Sequence, residues 1–402
     1  MLILERDDPM DERKKQILKA IVDDYVETAE PVGSKSLVDR HKLKYSSATI
    51  RHEMAELEEM GYLEKPHTSA GRMPSDRGYR AYVDNMLSLP EISPKEASGI
   101  RGFLLNNLDE ARELIERAAE YLAGKTNYLS VALSPQYSDS SLEQIKIMMI
   151  EPGRAIVVLV LSAGVVHDRL IRIPAMIDEK QLDSIGRAVE RCLAGKKLDD
   201  ITLVTISSAA GETGLPEALV NQVLYEAYVA IKQTEKIEIF MDGRHHLLRQ
   251  PEFRDVDRAN RFYRAVHQEQ MVAGYMMEMR QEQEERQAEG CDWDLDCLEA
   301  VESGEESALS VQRAKPSYMV RIGQEIALDG MEDMSFITTT YRIGRQISGQ
   351  IGVIGPKRMQ YGKIISQISF VNKALMEAAG EHYGYPGKND GPSGQKEGKA
   401  GE

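Results

Sequence analysis

The stretch from Gly33 to Arg80 sets out, in order, a short apolar helix, a basic link, a second apolar helix closed by glycine, and a proline- and glycine-rich basic hairpin. Few folds accommodate that succession. Upstream of it, Asp11 to Thr28 carries Ile17, Leu18, Ile21, Val22, Tyr25 and Val26 at helical spacing, which predicts a supporting helix with one apolar stripe. Pro31 and Gly33 end that helix, and Ser34 is placed to cap a second one through Leu37 and Val38 to about His41. After Lys42 to Tyr45, Ser46 and Ser47 offer a side-chain oxygen to the free N–H groups of a third helix, whose buried face is Ile50, Met54, Leu57 and Met60. Gly61 supplies its left-handed stop. Tyr62 to Ser75 then reads as a hairpin, with Tyr62 to Glu64 as one strand, Pro66 to Gly71 as the turn, and Arg72 and Met73 leading out.

The charge along this stretch is uneven. Gly33 to His52 holds Lys35, Arg40, Lys42, Lys44 and Arg51 against Asp39 alone, whereas the whole chain carries a net charge of −15. A positive island on an acidic protein is the footprint expected of a phosphate-binding surface. Ser47, Thr49, Arg51 and His52 face outward in the first turns of the third helix, and Glu53, Glu56, Glu58 and Glu59 follow. A recognition helix enters the major groove with its N-terminal residues, where its own dipole is positive. Lys65, His67 and Arg72 on the hairpin are placed to set cations against the duplex backbone or in the minor groove. The expected contacts with a double-stranded DNA operator are Lys35, Lys44, Ser46, Ser47, Thr49, Arg51, His52, His67 and Arg72.

Several separated motifs carry a resemblance to a known family. Gly33-Ser34-Lys35, Ser46-Ser47-Ala48-Thr49-Ile50-Arg51, and Pro66 to Arg72 followed by Pro74 and Tyr79 resemble the N-terminal domain of the HrcA family of bacterial heat-inducible transcription repressors. The likeness recurs in Asp242-Gly243, Leu247-Leu248, Pro251-Glu252-Phe253, Ile322-Gly323-Gln324-Glu325 and Gly352 to Tyr361. It spans nearly all of the chain except the C-terminal tail and one acidic insert. The resemblance implies a GAF-like sensor domain with an inserted dimerising segment. It further implies a CIRCE-type inverted-repeat operator upstream of chaperone genes, and promotion of the active fold by the GroEL chaperonin.

Downstream, the pattern predicts an α+β multidomain chain. Residues 1–88 are expected as a winged helix-turn-helix domain and 89–104 as a linker. Residues 105–177 and 236–380 are expected as a GAF-like antiparallel-sheet domain. An inserted dimerisation segment is placed at 178–235, an acidic insert at 277–313 and a flexible tail at 384–402. After an amphipathic helix from Leu108 to Leu122, aliphatic runs at 144–151, 154–161 and 165–173, joined by Pro152-Gly153 and Ala163-Gly164, predict an antiparallel meander. Stripes through Leu182 to Leu193 and Leu219 to Ile231 predict helices. Further strands are expected at 236–241, 318–322, 336–342 and 350–354, with one long helix from Val256 to Glu285 and an end helix near Ser366 to Ala379. One winged helix covers about half of an operator, so a homodimer on a palindromic site is expected.

Other chemistries find little footing. Asp292, Asp294 and Asp296 begin like a calcium loop, but Cys297 stands where glycine is required and Ser303 where a bidentate glutamate belongs. Cys291 and Cys297 lack the spacing of a zinc pair, and their surroundings from Met277 to Glu306 hold twelve acidic and two basic residues, a composition normally solvated and extended. Gly349, Gly352 and Gly355 lack the Gly-Lys-Ser/Thr ending of a phosphate loop and suit turns and close packing instead. Adjacent His245 and His246 cannot both point at one ion in a helix or a strand. No cofactor and no enzymatic constellation is expected. Three cysteines suit a reducing cytosol; the start MLILERDDPM lacks a signal-peptide pattern, and the run Ala155 to Val166 is too short to span a bilayer. The expected location is therefore cytoplasmic. The alternative that stays open is a regulator whose GAF-like cavity binds a small effector.

Overall fold

The computed structural model describes residues 10–67, 70–105, 111–137, 140–288, 318–343 and 347–382. The acidic insert from residue 289 on, its cysteines, the tip of the basic hairpin at Thr68 and Ser69, and the tail fall outside the described residues. Two compact units emerge, one built from Met1–Pro135, Ile237–Tyr341 and Gly349–Ala374, the other from Gln136–Lys236, Arg342–Ser348 and Leu375–Glu402.

The first unit begins with α1 (Glu12–Thr28), α2 (Ser34–His41) and α3 (Ser47–Glu59). Asp11 caps α1 by accepting from the Lys14 N–H at 2.8 Å, and Ala29 closes it in the left-handed conformation. Ile17, Leu18, Ile21 and Val22 of α1 are fully buried together with Leu37 of α2 and Ile50 and Leu57 of α3. Burying these seven side chains contributes roughly 1.5–3 kcal/mol each before chain entropy is counted. Gly61, at φ +80°, ends the α3 segment as its position suggests. Two strands follow, β1 (Leu63–Glu64) and β2 (Met73–Pro74), paired antiparallel with Leu63 opposite Pro74, and Val32 bridges Arg72 beside them. α4 (Asp76–Asn85) is capped by Ser75, whose hydroxyl accepts from the Gly78 N–H and donates to the Gly61 carbonyl.

One local expectation changes here. Ser34 is the first residue of α2 but makes no cap; its hydroxyl meets Ser47 Oγ at 3.1 Å and ties α2 to α3. The Glu53 side chain is 6% exposed, and Arg13 and Lys14 of α1 reach it at 3.1 and 3.0 Å.

The rest of this unit is helices around one antiparallel sheet. Residues expected as a linker instead form α5 (Pro94–Leu105), with Ile100 and Leu104 buried, and α6 (Ala111–Thr126) follows. Strand β3 (Leu129–Leu133) opens the sheet. Between it and its next partner in sequence lie three strands of the second unit: β4 (Leu142–Glu151), β5 (Arg154–Leu161) and β6 (Val166–Arg172). With them come α7 (Glu179–Leu193), α8 (Leu203–Ser207) and α9 (Glu217–Thr234). The chain then re-enters the first unit through β7 (Ile239–Asp242) and α10 (Arg244–Leu247), followed by α11 (Val256–His267) and α12 (Glu269–Ala288). It continues through β8 (Tyr318–Ile322), β9 (Met334–Ile343), β10 (Ile347–Pro356) and α13 (Tyr361–His382). The five-stranded order is β7-β3-β10-β9-β8. Leu129, Val131, Leu133, Phe336 and Ile354 on one face pack with Phe262 and Val266 of α11 and Val272, Met276 and Met279 of α12. On α13, Tyr361 meets Ser335 at 2.7 Å and Asn372 donates to Thr339. The long helix expected from Val256 is two helices, since Gln268 leaves the helical region at ψ 63°. Gly349, Gly352 and Gly355 all lie inside β10, against Tyr341, Ile337 and Tyr128, so they serve close packing and not turns.

In the second unit β4, β5 and β6 form the expected meander, turned by Gly153 at φ +88° and Gly164 at φ +76°. Ile145, Ile147, Val157, Leu159 and Ile171 are buried, as are Ile185 and Val189 of α7 and Val223 and Ile231 of α9. The unit between β3 and β7 therefore starts at Gln136, earlier than the boundary of 178 read from sequence. The physical reason is that α7 and α9 supply the apolar cover of the meander's inner face.

Candidate nucleic-acid interface

The N-terminal turn of α3 is organised by hydroxyls. Ser46 caps the helix: its Oγ accepts from the Thr49 N–H at 3.1 Å and lies 2.9 Å from Thr49 Oγ1. Ser47 is engaged with Ser34. Opposite the buried stripe of Ile50, Met54 and Leu57, the exposed stripe is Ala48, Arg51, His52 and Ala55, at i, i+3, i+4 and i+7. The two alanines were not singled out from sequence; they follow as the complement of the apolar stripe, and their small side chains let the helix backbone come close to a flat or grooved partner.

The carboxylates of α3 are neutralised from outside the helix. Lys14 binds Glu53 and, at 2.8 Å, Glu56; its hydrogen bond holds the Glu56 carboxyl below the ordinary carboxylate value. Glu58 pairs with Arg72 at 2.7 Å. Glu59 alone of the four stands exposed without a described partner. The N-terminal half thus presents Arg51, free of any described ion pair, beside the helix dipole.

The remaining expected contacts are distributed around this turn. Lys35 and Lys44 are exposed with no described partner, and Lys42 between them adopts φ 49° where α2 gives way to the link. His52 is exposed and its Nε2 lies 3.0 Å from Glu56. On the hairpin His67 is exposed, whereas Arg72 is drawn inward, its Nε on Glu58 and its backbone paired with Val32. Arg13, unremarked in the sequence, stacks over the Tyr45 ring at 5.1 Å.

Among the described residues no group of three or more His, Cys, Asp and Glu side chains could hold a metal ion. His245 and His246 stack on each other at 4.0 Å between ring centres. Among the described residues no helix is long and apolar enough to cross a membrane.

Comparison with known proteins falls on one family. The profile of the HrcA protein C terminal domain matches residues 112–365. A heat-inducible transcription repressor HrcA of Ruminiclostridium cellulolyticum is 34% identical over 91% of this chain and 96% of its own length. Its counterpart from Acetivibrio thermocellus is 33% identical over 92% and 96%. A crystal structure of a hypothetical protein, solved at 2.2 Å, is similar in fold, with a TM-score of 0.54 at 20% identity over 93% of this chain and 99% of that one.

Proposed function

The chain belongs to the HrcA family of heat-inducible transcription repressors, and from that premise we propose how it acts as a negative regulator of heat-shock genes. Residues 1–88 act as a winged helix-turn-helix in which α3 is the recognition helix and the β1–β2 hairpin the wing. The observation that carries this reading is the exposed stripe of Ala48, Arg51, His52 and Ala55 on a helix where Lys14 and Arg72 tie up Glu53, Glu56 and Glu58. Arg51 reads a base edge or a phosphate in the major groove. Lys35, Lys44 and His67 fix register on the backbone, and Ser46, Ser47 and Thr49 bring the helix N-terminus to a phosphate. Arg72 supports the wing through Glu58 as well as lying near the duplex.

The operator is an inverted repeat of the CIRCE type, bound by a homodimer, because one recognition helix reads one half-site. The first unit's sheet with its helices is GAF-like, and the second is the inserted dimerisation segment. Support for the latter comes from the outer face of its meander, where Met148, Ile150, Val166 and Leu170 are exposed and half-buried Ile156, Val158 and Val160 lie between them. Lys146 and Asp168 flank Val158 on the same face and divide it into two apolar patches, and exposed patches of this kind mark protein contact. The protein acts in the cytoplasm, where the GroEL chaperonin promotes its DNA-competent fold and heat withdraws that support by occupying the chaperonin elsewhere.

A second reading, effector gating, is favoured by one observation. Gln350, fully buried in β10, has neither amide atom partnered among the described residues, and buried Thr338 leaves its hydroxyl unpaired. A mobility shift with a labelled inverted repeat separates the two readings. Binding strengthened by added chaperonin supports the first, and binding that responds to a metabolite and not to chaperonin supports the second.

A further inference from the structure

Strand β7 ends the five-stranded sheet, and among the described residues its one partner is β3. Glu238 O accepts from the Ser134 N–H, so by antiparallel alternation residues 238, 240 and 242 bond toward β3 while Ile239 and Met241 turn their N–H and C=O groups outward. Native sheets blunt such an edge with lysine, proline or a bulge. The sequence Ile-Phe-Met-Asp of β7 has none of these. An open groove of about 600 Å³ runs along it, between α6 and the start of α12.

The groove is acidic. Glu116 and Glu120 of α6 and Asp242 of β7 line it without a described ion pair, while Glu269 is matched by Arg244 at 2.8 Å. Half-buried Phe240 lies between them with the Arg112 guanidinium 5.4 Å from its ring centre, and that guanidinium is itself held by Glu238 at 2.7 Å. Two copies joined through their own β7 edges would bring these carboxylates face to face, which disfavours self-pairing. Nucleic-acid phosphate is repelled for the same reason.

We propose that this groove receives an extended cationic peptide segment of another protein, added as a sixth strand on β7. The outward N–H and C=O groups of Ile239 and Met241 supply backbone hydrogen bonds. Lysine or arginine at alternate positions meets Glu116, Glu120 and Asp242 on the face that α6 covers, and the intervening apolar side chains lie beside Ile239 and Met241 on the other face. The site is separate from the proposed DNA surface and opposite to it in charge.

The test uses the full-length chain and a fluorescein-labelled Lys-Val-Lys-Val-Lys-Val peptide followed by fluorescence anisotropy. Saturable binding is expected, with at least about tenfold weakening for the Glu-Val repeat peptide and for Glu116→Lys with Glu120→Lys. Circular dichroism checks that the exposed double variant keeps its fold. On the unaltered protein, N-methylation of alternate peptide residues at one parity removes binding and at the other parity does not. Absence of saturable binding overturns the proposal. So does equal binding of the glutamate peptide, or indifference to which parity is methylated, since either result reduces the contact to nonspecific charge.

Discussion

Asp76, the first residue of α4, holds Lys357 at 2.7 Å and accepts from the Gln324 N–H at 3.1 Å, drawing together segments 281 positions apart in the chain. Arg80, one turn later, pairs with Glu325 and donates to the Val320 carbonyl. The motifs Ile322 to Glu325 and Gly352 to Tyr361 therefore do the same physical work: they fasten the helix that follows the hairpin to the five-stranded sheet.

Gly323 bears the strictest requirement of that junction. Its φ is +56°, and a Cβ there would overlap the Asp76 carboxylate, which Lys357 and Gln324 keep in place. Gly323→Ala is predicted to destabilise the protein by about 1–3 kcal/mol, read from the urea unfolding midpoint. Adding Asp76→Ala should recover the part due to overlap and leave the part due to backbone strain.

Lys14 is the second junction. Removing its ammonium leaves buried Glu53 with Arg13 alone and Glu56 with His52. Lys14→Met is predicted to cost about 2–3 kcal/mol in chemical unfolding, and combining it with Glu53→Gln should return a measurable share, because a neutral amide is less costly to bury.

How far the sequence revealed this arrangement depended on the length scale of each signal. Helical stripes and glycine stops are local, so α1, α3 and the meander were legible to within a few residues. Ser34 was misjudged, and the ion pairs of Glu53 and Arg72 were not legible, because a serine before an apolar run, or a charge on an amphipathic helix, looks alike whether it faces water or a partner tens of residues away. The start of the second unit at Gln136 was hidden for a related reason: alternation in β4 to β6 tells that one face is covered, not which helices cover it. At the proposed DNA surface the cations were legible by type, but which of them remain free was not.

His246 offers a pH test. Burial first, and then neighbouring His245, push its imidazole below the ordinary histidine value. The unfolded chain therefore binds the proton more readily, so stability is fully present above the unfolded value and is lost as pH falls toward the lowered folded value. The unaltered protein should lose more stability between pH of about 7.5 and about 5.5 than His246→Gln, measured by thermal unfolding across the series. Equal slopes would remove His246 as the source.

The meander's outer face makes a prediction about assembly. Met148→Glu with Leu170→Glu puts charges onto exposed apolar positions opposite Ile156 in register, and leaves the buried face of the sheet untouched. The double variant should remain folded by circular dichroism and sediment as a monomer where the parent sediments as a dimer. Its operator affinity should fall with loss of the second half-site.

The most direct measurement is a salt-dependent titration of full-length protein with an inverted-repeat duplex, run beside Arg51→Ala. The account predicts binding that weakens as a power of salt concentration. It also predicts that the variant loses about 1–3 kcal/mol of specific affinity if Arg51 reads a base, or about one unit of salt slope if it touches phosphate. Failure of the folded parent to bind the duplex at low ionic strength, or a variant indistinguishable from it in both affinity and slope, would contradict the assignment of α3 as the reading helix.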